Sequence, residues 1–220
     1  MLCARFRAVE PRDKGVPGIE RNMKVLGIFG SPRKGGNSDL LLTEALKGAE
    51  SLGAETETIR TFKLKLSGCR ECGGCDKTGV CVVKDDMDLV YPKLIESEII
   101  MLASPMFFYG ITSSAKAVID RCQALWSRRM LEKAPELRKR YDSGHGYLIA
   151  VGATKGTNLF EGSEMVAKYF FDALDKSYNG GLFVKSVEGK AAIKDRPDVL
   201  ADAFELGKRA VLGESFHVAK

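Results

Sequence analysis

Apolar and polar residues fall in blocks along this chain, and the blocks change period. Lys24–Gly30 (KVLGIFG), Glu98–Ser104 (EIIMLAS) and Gly146–Gly152 (GYLIAVG) are short, nearly continuous apolar runs. That is the pattern of strands buried on both faces. Glu55–Phe62 alternates and reads as a further strand, and Gly180–Val187 as another. Between them the apolar spacing lengthens to that of a helix. Asp39–Leu52 carries Leu41, Leu42, Ala45, Leu46, Ala49 and Leu52 on one stripe. Asp86–Ser97 does the same with Met87, Val90, Leu94 and Ile95. Ser113–Leu125, Phe160–Lys176 and Arg196–Leu212 also read as helices, the last opened by Pro197 and Asp198. Helices alternate with strands throughout, which predicts one doubly wound α/β domain on a mostly parallel sheet of five strands.

Two stretches break this rhythm. Residues 1–22 show no period and carry Arg5, Arg7, Arg12, Lys14 and Arg21 with Pro11 and Pro17. They are expected to be a flexible N-terminal tail, or to precede a translation start at Met23, which leaves residues 23–220 as the domain. Trp126–Ser143 is dense in Arg128, Arg129, Lys133, Arg138, Lys139 and Arg140. It reads either as a solvated excursion or as a lid or subunit contact able to attract an acidic partner.

Composition narrows the class. The chain of 220 residues is 45% hydrophobic and 29% charged, the balance of a globular protein with a large core. A net charge of +5 is too mild to imply nucleic-acid binding. No apolar run approaches the roughly 20 residues of a membrane span. The first 22 residues lack the apolar core of a secretory signal. A cytoplasmic location is therefore expected. In a reducing compartment, clustered cysteines favour metal ligation over disulfides.

The cysteines are clustered. Cys69, Cys72, Cys75 and Cys81, four of the six, stand in the spacing C-x2-C-x2-C-x5-C within residues 68–86. Such spacing lets one short loop fold round an inorganic centre. It resembles the ferredoxin run that holds an iron–sulfur cluster, although the last interval differs and no proline follows Cys81. A structural zinc site more often separates two CxxC pairs. A [4Fe–4S] cluster is the leading expectation, with zinc, a disulfide or free thiols as alternatives.

A second motif follows the first strand. Ser31-Pro32-Arg33-Lys34-Gly35-Gly36-Asn37-Ser38 is a polar loop running into a helix, the arrangement that delivers a phosphate to a helix N-terminus. It is neither a Walker A loop nor G-x-G-x-x-G, which argues against a triphosphate or a dinucleotide held by that fingerprint. A third motif, Pro105-Met106-Phe107-Phe108-Tyr109-Gly110, is an apolar and aromatic loop at the carboxyl end of a strand, where open α/β sheets bind ligands. Ala153-Thr154-Lys155-Gly156 occupies the same place after the next strand. The only histidines, His145 and His217, stand apart from every motif and are expected to be structural.

Taken together, G-S-P-R-K-G-G-N-S at Gly30–Ser38, S-P-M-F-F-Y-G at Ser104–Gly110 and the cysteine spacing between them resemble the flavodoxin-like NAD(P)H-dependent FMN reductases. They are similar, more narrowly, to the iron–sulfur flavoproteins of that family. The resemblance covers residues 24 to about 213, with the motifs in the family's order. It implies a flavodoxin-like three-layer α/β/α fold. It also implies that Ser31, Arg33, Asn37 and Ser38 hold the FMN phosphate. Pro105, Met106, Phe107, Tyr109 and Gly110 would lie along the isoalloxazine, and Ala153, Thr154 and Gly156 would close its other side. Cys69, Cys72, Cys75 and Cys81 would hold a [4Fe–4S] cluster. NAD(P)H or ferredoxin would be the donor, a small redox molecule the acceptor, and the assembly a homodimer or homotetramer. Two other classes compete: a cluster-free NAD(P)H-dependent FMN or quinone reductase, and a non-enzymatic flavodoxin-like electron carrier.

Overall fold

A computed structural model describes residues 23–220; the tail expected over residues 1–22 lies outside the described residues. The apolar runs become the central strands β1 (Lys24–Phe29), β3 (Ile99–Pro105) and β4 (His145–Val151). The alternating run becomes β2 (Glu55–Arg60), an edge strand with Glu55, Glu57 and Thr58 in solvent. β5 is Ser177–Val184, three residues earlier at each end than its pattern indicates. The sheet has six strands rather than five, in the order β2-β1-β3-β4-β5-β6, and every neighbouring pair is parallel. The additional strand, β6 (Phe216–Ala219), is four residues long and pairs with β5 from Gly180 to Phe183. Too short to display a period, it is an edge strand specified by its partner.

Helices cover both faces. α1 (Asn37–Glu50) and α6 (Pro197–Val211) pack on one side, where Leu41, Leu42, Val199 and Leu206 meet Val25, Met101 and Ile149. α2 (Met87–Glu96), α3 (Ser113–Arg121), α4 (Gln123–Glu132) and α5 (Glu161–Ala173) lie on the other, over Leu26, Leu102 and Leu148. This is the three-layer α/β/α architecture. Among the described residues no helix is long and apolar enough to cross a membrane.

α1 and α6 meet backbone to backbone. A Cβ on Gly207 would overlap the Ala45 carbonyl, and one on Gly48 would overlap the Phe204 carbonyl. Neither obstacle is a flexible side chain, so Gly207→Ala should cost roughly 1–3 kcal/mol. A lower denaturation midpoint with unchanged slope is the expected reading; an unchanged midpoint would rule out so close an approach.

The helix expected over Ser113–Leu125 breaks at Cys122 (ψ 0°) and resumes as α4, which extends into the basic excursion. The excursion is tied down from beneath. Arg129 is buried and pairs with Asp172 and Asp175, at 3.2 and 3.1 Å, and it donates to the Asp172 and Arg138 carbonyls. Lys133 reaches Asp175 and Asp142 at 2.7 and 3.1 Å, and Arg138 donates to the Met130 carbonyl. Much of this charge therefore staples the segment to the end of α5. That finding removes Arg129 and Lys133 from any surface meant to attract an acidic partner.

Candidate functional site

Because the sheet is parallel, β1, β3 and β4 all end at one edge, and the loops leaving them face each other. They enclose a cleft of about 220 Å³. One wall is the loop from Ser31 into α1, with Ser31, Arg33, Gly36, Asn37 and Ser38. The facing wall is Pro105, Met106 and Phe107, with Val151 and Ala153 from the end of β4. A third side comes from the segment after β5, through Val187, Glu188 and Lys190. No motif in the sequence marks that segment.

Gly36 occupies the N-cap of α1 (φ −74°, ψ 177°), so no capping side chain covers the first-turn N–H groups. An uncapped helix N-terminus with its positive dipole end is a site for an anion. Ser38 stands in that first turn, 2% exposed. The Ser31 hydroxyl accepts from Arg33 N–H at 3.1 Å and so shapes the turn, leaving the Arg33 side chain at the exposed rim. Asp39, buried, accepts from Gly35 N–H at 3.1 Å and from Arg60 at 2.6 Å. Gly30 allows β1 to run this close to β3, since a Cβ there would lie 2.7 Å from the Ala103 carbonyl.

Asn37, which lines the cleft, also reaches across to its third side. Its amide donates to the Gly189 carbonyl at 2.8 Å, and its oxygen accepts from Ile193 N–H at 3.1 Å. Asn37 thus fastens the third wall to the first. Tyr109, Gly110, Thr154 and Gly156 do not line the cleft, but a Cβ on Gly156 would overlap the Tyr109 hydroxyl, so these two loops touch.

The aromatic loop is strained. Phe107 and Gly110 exchange backbone hydrogen bonds of 2.9 and 3.0 Å across a turn whose centre is Phe108 (φ 50°) and Tyr109 (φ 62°). Two positive φ values describe a type I′ turn, normally the preserve of Asn and Gly. Phe108 is also fully exposed. Strain of this kind collects at functional sites. Phe108→Asn removes no packing and relieves about 1 kcal/mol of left-handed strain. It should raise the thermal midpoint by about 2–4 °C; a fall in a melting experiment would contradict this description of the turn.

A second cavity, of about 530 Å³, opens beside the first-described one, after β2. Cys69, Cys72, Cys75 and Cys81 all line it, so the folded loop brings the four cysteines to one cavity. All are free thiols, Cys69 and Cys72 exposed and the other two half-buried. Among the described residues no three His, Cys, Asp or Glu groups gather closely enough to grip a single metal ion. Gly73 and Gly79 take positive φ values, 67° and 65°, that turn the loop inward. Gly79 packs on Arg128 of α4, where a Cβ would overlap the Arg128 backbone and side chain, and the Ser127 hydroxyl lies 3.8 Å from the Cys75 sulfur.

The far wall of this cavity includes Arg121, at the end of α3. Its side chain, 1% exposed, donates to Asp85 at 2.6 Å, to the Ser67 carbonyl at 3.0 Å and to the Val83 carbonyl at 3.2 Å. Burial works against the carboxylate of Asp85, but Arg121 and the Met87 and Ser67 N–H groups more than offset it, and the pKa lies below the ordinary value. The ends of β1 and β2, which lead into the two loops, are tied together. Arg60, at the end of β2, stacks 4.1 Å over the Phe29 ring while it holds Asp39, and Thr61 bonds to the Phe29 carbonyl.

The remaining candidates are structural. Cys122 is buried, its thiol pushed up by burial, and it donates to the Val118 carbonyl at 3.3 Å. His145 opens β4, at the opposite end of the strand from the cleft. It meets the Ser177 hydroxyl at 2.8 Å, and burial holds its pKa below the usual value. His217 packs on Phe183 in β5.

Residues 23–157 match the NADPH-dependent FMN reductase family. An iron–sulfur flavoprotein of Archaeoglobus fulgidus is 42% identical over 133 residues, covering 60% of this chain and 57% of that protein. The chain spans about half to two thirds of the length of several such relatives. An iron–sulfur flavoprotein of Methanocaldococcus jannaschii is 30% identical over 191 residues, covering 86% of this chain and 91% of that one. Among solved structures, a flavone reductase superposes with a TM-score of 0.63 at 19% identity, over 90% of this chain and 66% of that one, a likeness of fold.

Proposed function

The chain belongs to the NADPH-dependent FMN reductase family and, within it, to the iron–sulfur flavoproteins; from that premise we propose that it is an FMN-dependent oxidoreductase, moving electrons between NAD(P)H or ferredoxin and a small-molecule acceptor, with a [4Fe–4S] cluster on its cysteine loop. The observation that carries this reading is the cleft at the ends of β1, β3 and β4, where an uncapped helix N-terminus faces an apolar wall. That pairing suits a ligand with a phosphate at one end and a flat apolar ring at the other. The absence of a dinucleotide fingerprint favours FMN over FAD.

Bound FMN would supply two-electron or one-electron chemistry and a cluster one-electron chemistry. The chain's own residues position and shield. Ser31, Arg33, Asn37 and Ser38, with the first-turn N–H groups of α1, would hold the phosphate. Asn37 would keep the third wall in place by its bonds to Gly189 and Ile193. Pro105, Met106 and Phe107 would exclude water from one side of the ring, backed by Tyr109 and Gly110, and Ala153, Thr154 and Gly156 would close the other. Lys190 and backbone N–H groups are the donors available where negative charge develops. Cys69, Cys72, Cys75 and Cys81 would ligate the cluster. The exposed Phe107 and Tyr109 beside the cleft suit a subunit contact, in a homodimer or homotetramer.

Chromatography of the released cofactor and NADPH oxidation with an electron acceptor test this reading. FMN and turnover are expected. FAD, or no flavin at all, would overturn it, and FMN without turnover under any donor would leave an electron carrier instead.

A further inference from the structure

Arg121 is a charged side chain buried where the flavin cleft has no use for it. Burying a guanidinium is costly unless it is paired and hydrogen-bonded. Its partners are specific. Ser67 lies two residues before Cys69, and Val83 two residues after Cys81. One planar fork therefore ties the two stems of the cysteine loop together, at 3.0 and 3.2 Å, with Asp85 at 2.6 Å as counter-charge. Asp85 also accepts from Ser67 N–H at 3.3 Å and from Met87 N–H at 3.0 Å, which closes the same seam.

A clasp alone leaves one feature unexplained. Arg121 lines the cavity shared by the four cysteines, and among the described residues its buried Nε has no hydrogen-bond partner. Arg70, the other arginine on that cavity, is exposed to solvent, where its charge is screened. Four thiolates bring negative charge into the cavity, and each electron added to what they hold adds more. A fixed, buried cation on the wall favours the more negative state. Charge and hydrogen bonding at the sulfurs are among the factors that set a cluster's potential.

We propose that Arg121 is a positioning residue for the cysteine site: its fork holds the loop closed, and its buried charge raises the reduction potential of the group the thiolates carry. The inference rests on the cluster reading above. It adds a residue to that site that lies 40 positions beyond Cys81 and outside the cysteine motif.

The test is a potentiometric titration of the anaerobically purified full chain, followed by electron paramagnetic resonance, for the native protein and Arg121→Gln. Removing the cation also leaves Asp85 uncompensated. The cluster potential should fall by at least a tenfold change in the reduction equilibrium, which is about 59 mV for one electron. FMN content should not change, and Arg121→Lys should restore most of the potential. An unshifted potential in an iron-bearing Arg121→Gln overturns the inference and leaves the cluster reading intact. If Arg121→Gln retains no iron, Asp85→Asn decides: uncovering the guanidinium should raise the potential, and an unchanged or lower value overturns the inference. Native protein without iron is a different result, since it removes the cluster reading and this inference with it.

Discussion

Arg33→Ala combined with Ser38→Ala should strip FMN from the protein at ordinary flavin concentrations. Each change removes a hydrogen bond to a charged phosphate, worth roughly 1.5–3 kcal/mol. Each single variant should therefore bind FMN about 10- to 150-fold more weakly. Ser38 carries the greater interest, because it is buried in the first turn of α1 and no solvent can replace it. Arg33 stands at the exposed rim, where screening reduces its effect toward the lower bound. Flavin fluorescence titration reads both. The fold should survive, since neither side chain supports the core. Binding left unchanged in the double variant would place the phosphate elsewhere.

Cys69→Ser, Cys72→Ser, Cys75→Ser or Cys81→Ser should each remove most of the bound iron while leaving FMN in place. Serine is a poor substitute for a thiolate ligand. The thiols line a cavity separate from the flavin cleft, so no flavin contact is lost. Electron delivery from a one-electron donor such as ferredoxin should collapse, while direct reduction by NAD(P)H should persist. Cys122→Ser is the control, because Cys122 is buried between α3 and α4 and is not among the residues that line that cavity. Iron lost as fully from Cys122→Ser as from Cys72→Ser would overturn the assignment of the cluster to these four cysteines.

Much of this layout was legible in the residues. β1, β3 and β4 announce themselves because a strand buried on both faces must be apolar throughout, and the loops after them carry the motifs. The cysteine spacing likewise foreshadows a shared cavity. What escaped has a common cause. Arg121 and Arg129 are buried through ion pairs and carbonyl contacts contributed by distant segments, and a hydropathy pattern registers them only as charge. The same charges hide the continuation of the helix through α4. β6 is specified by β5 rather than by its own four residues. The third wall of the cleft, from Val187 to Lys190, carries no ligand motif and is fastened to the first by Asn37.

β1 and β2 are parallel neighbours, with Phe29 beside Arg60 in register, so the loops that leave them start side by side. Arg60, at the end of β2, holds Asp39 and, through it, the N–H of Gly35 in the phosphate loop.

The most direct measurement is the ultraviolet–visible spectrum of protein purified without oxygen, with iron and acid-labile sulfide assayed on the same sample. The account predicts flavin and iron–sulfur absorption together, with iron and sulfide in equal amounts, about four of each per chain as the composition of the cluster requires. Flavin absorption with no iron or sulfide would contradict it, and a cluster-free NAD(P)H-dependent reductase would then be the better description.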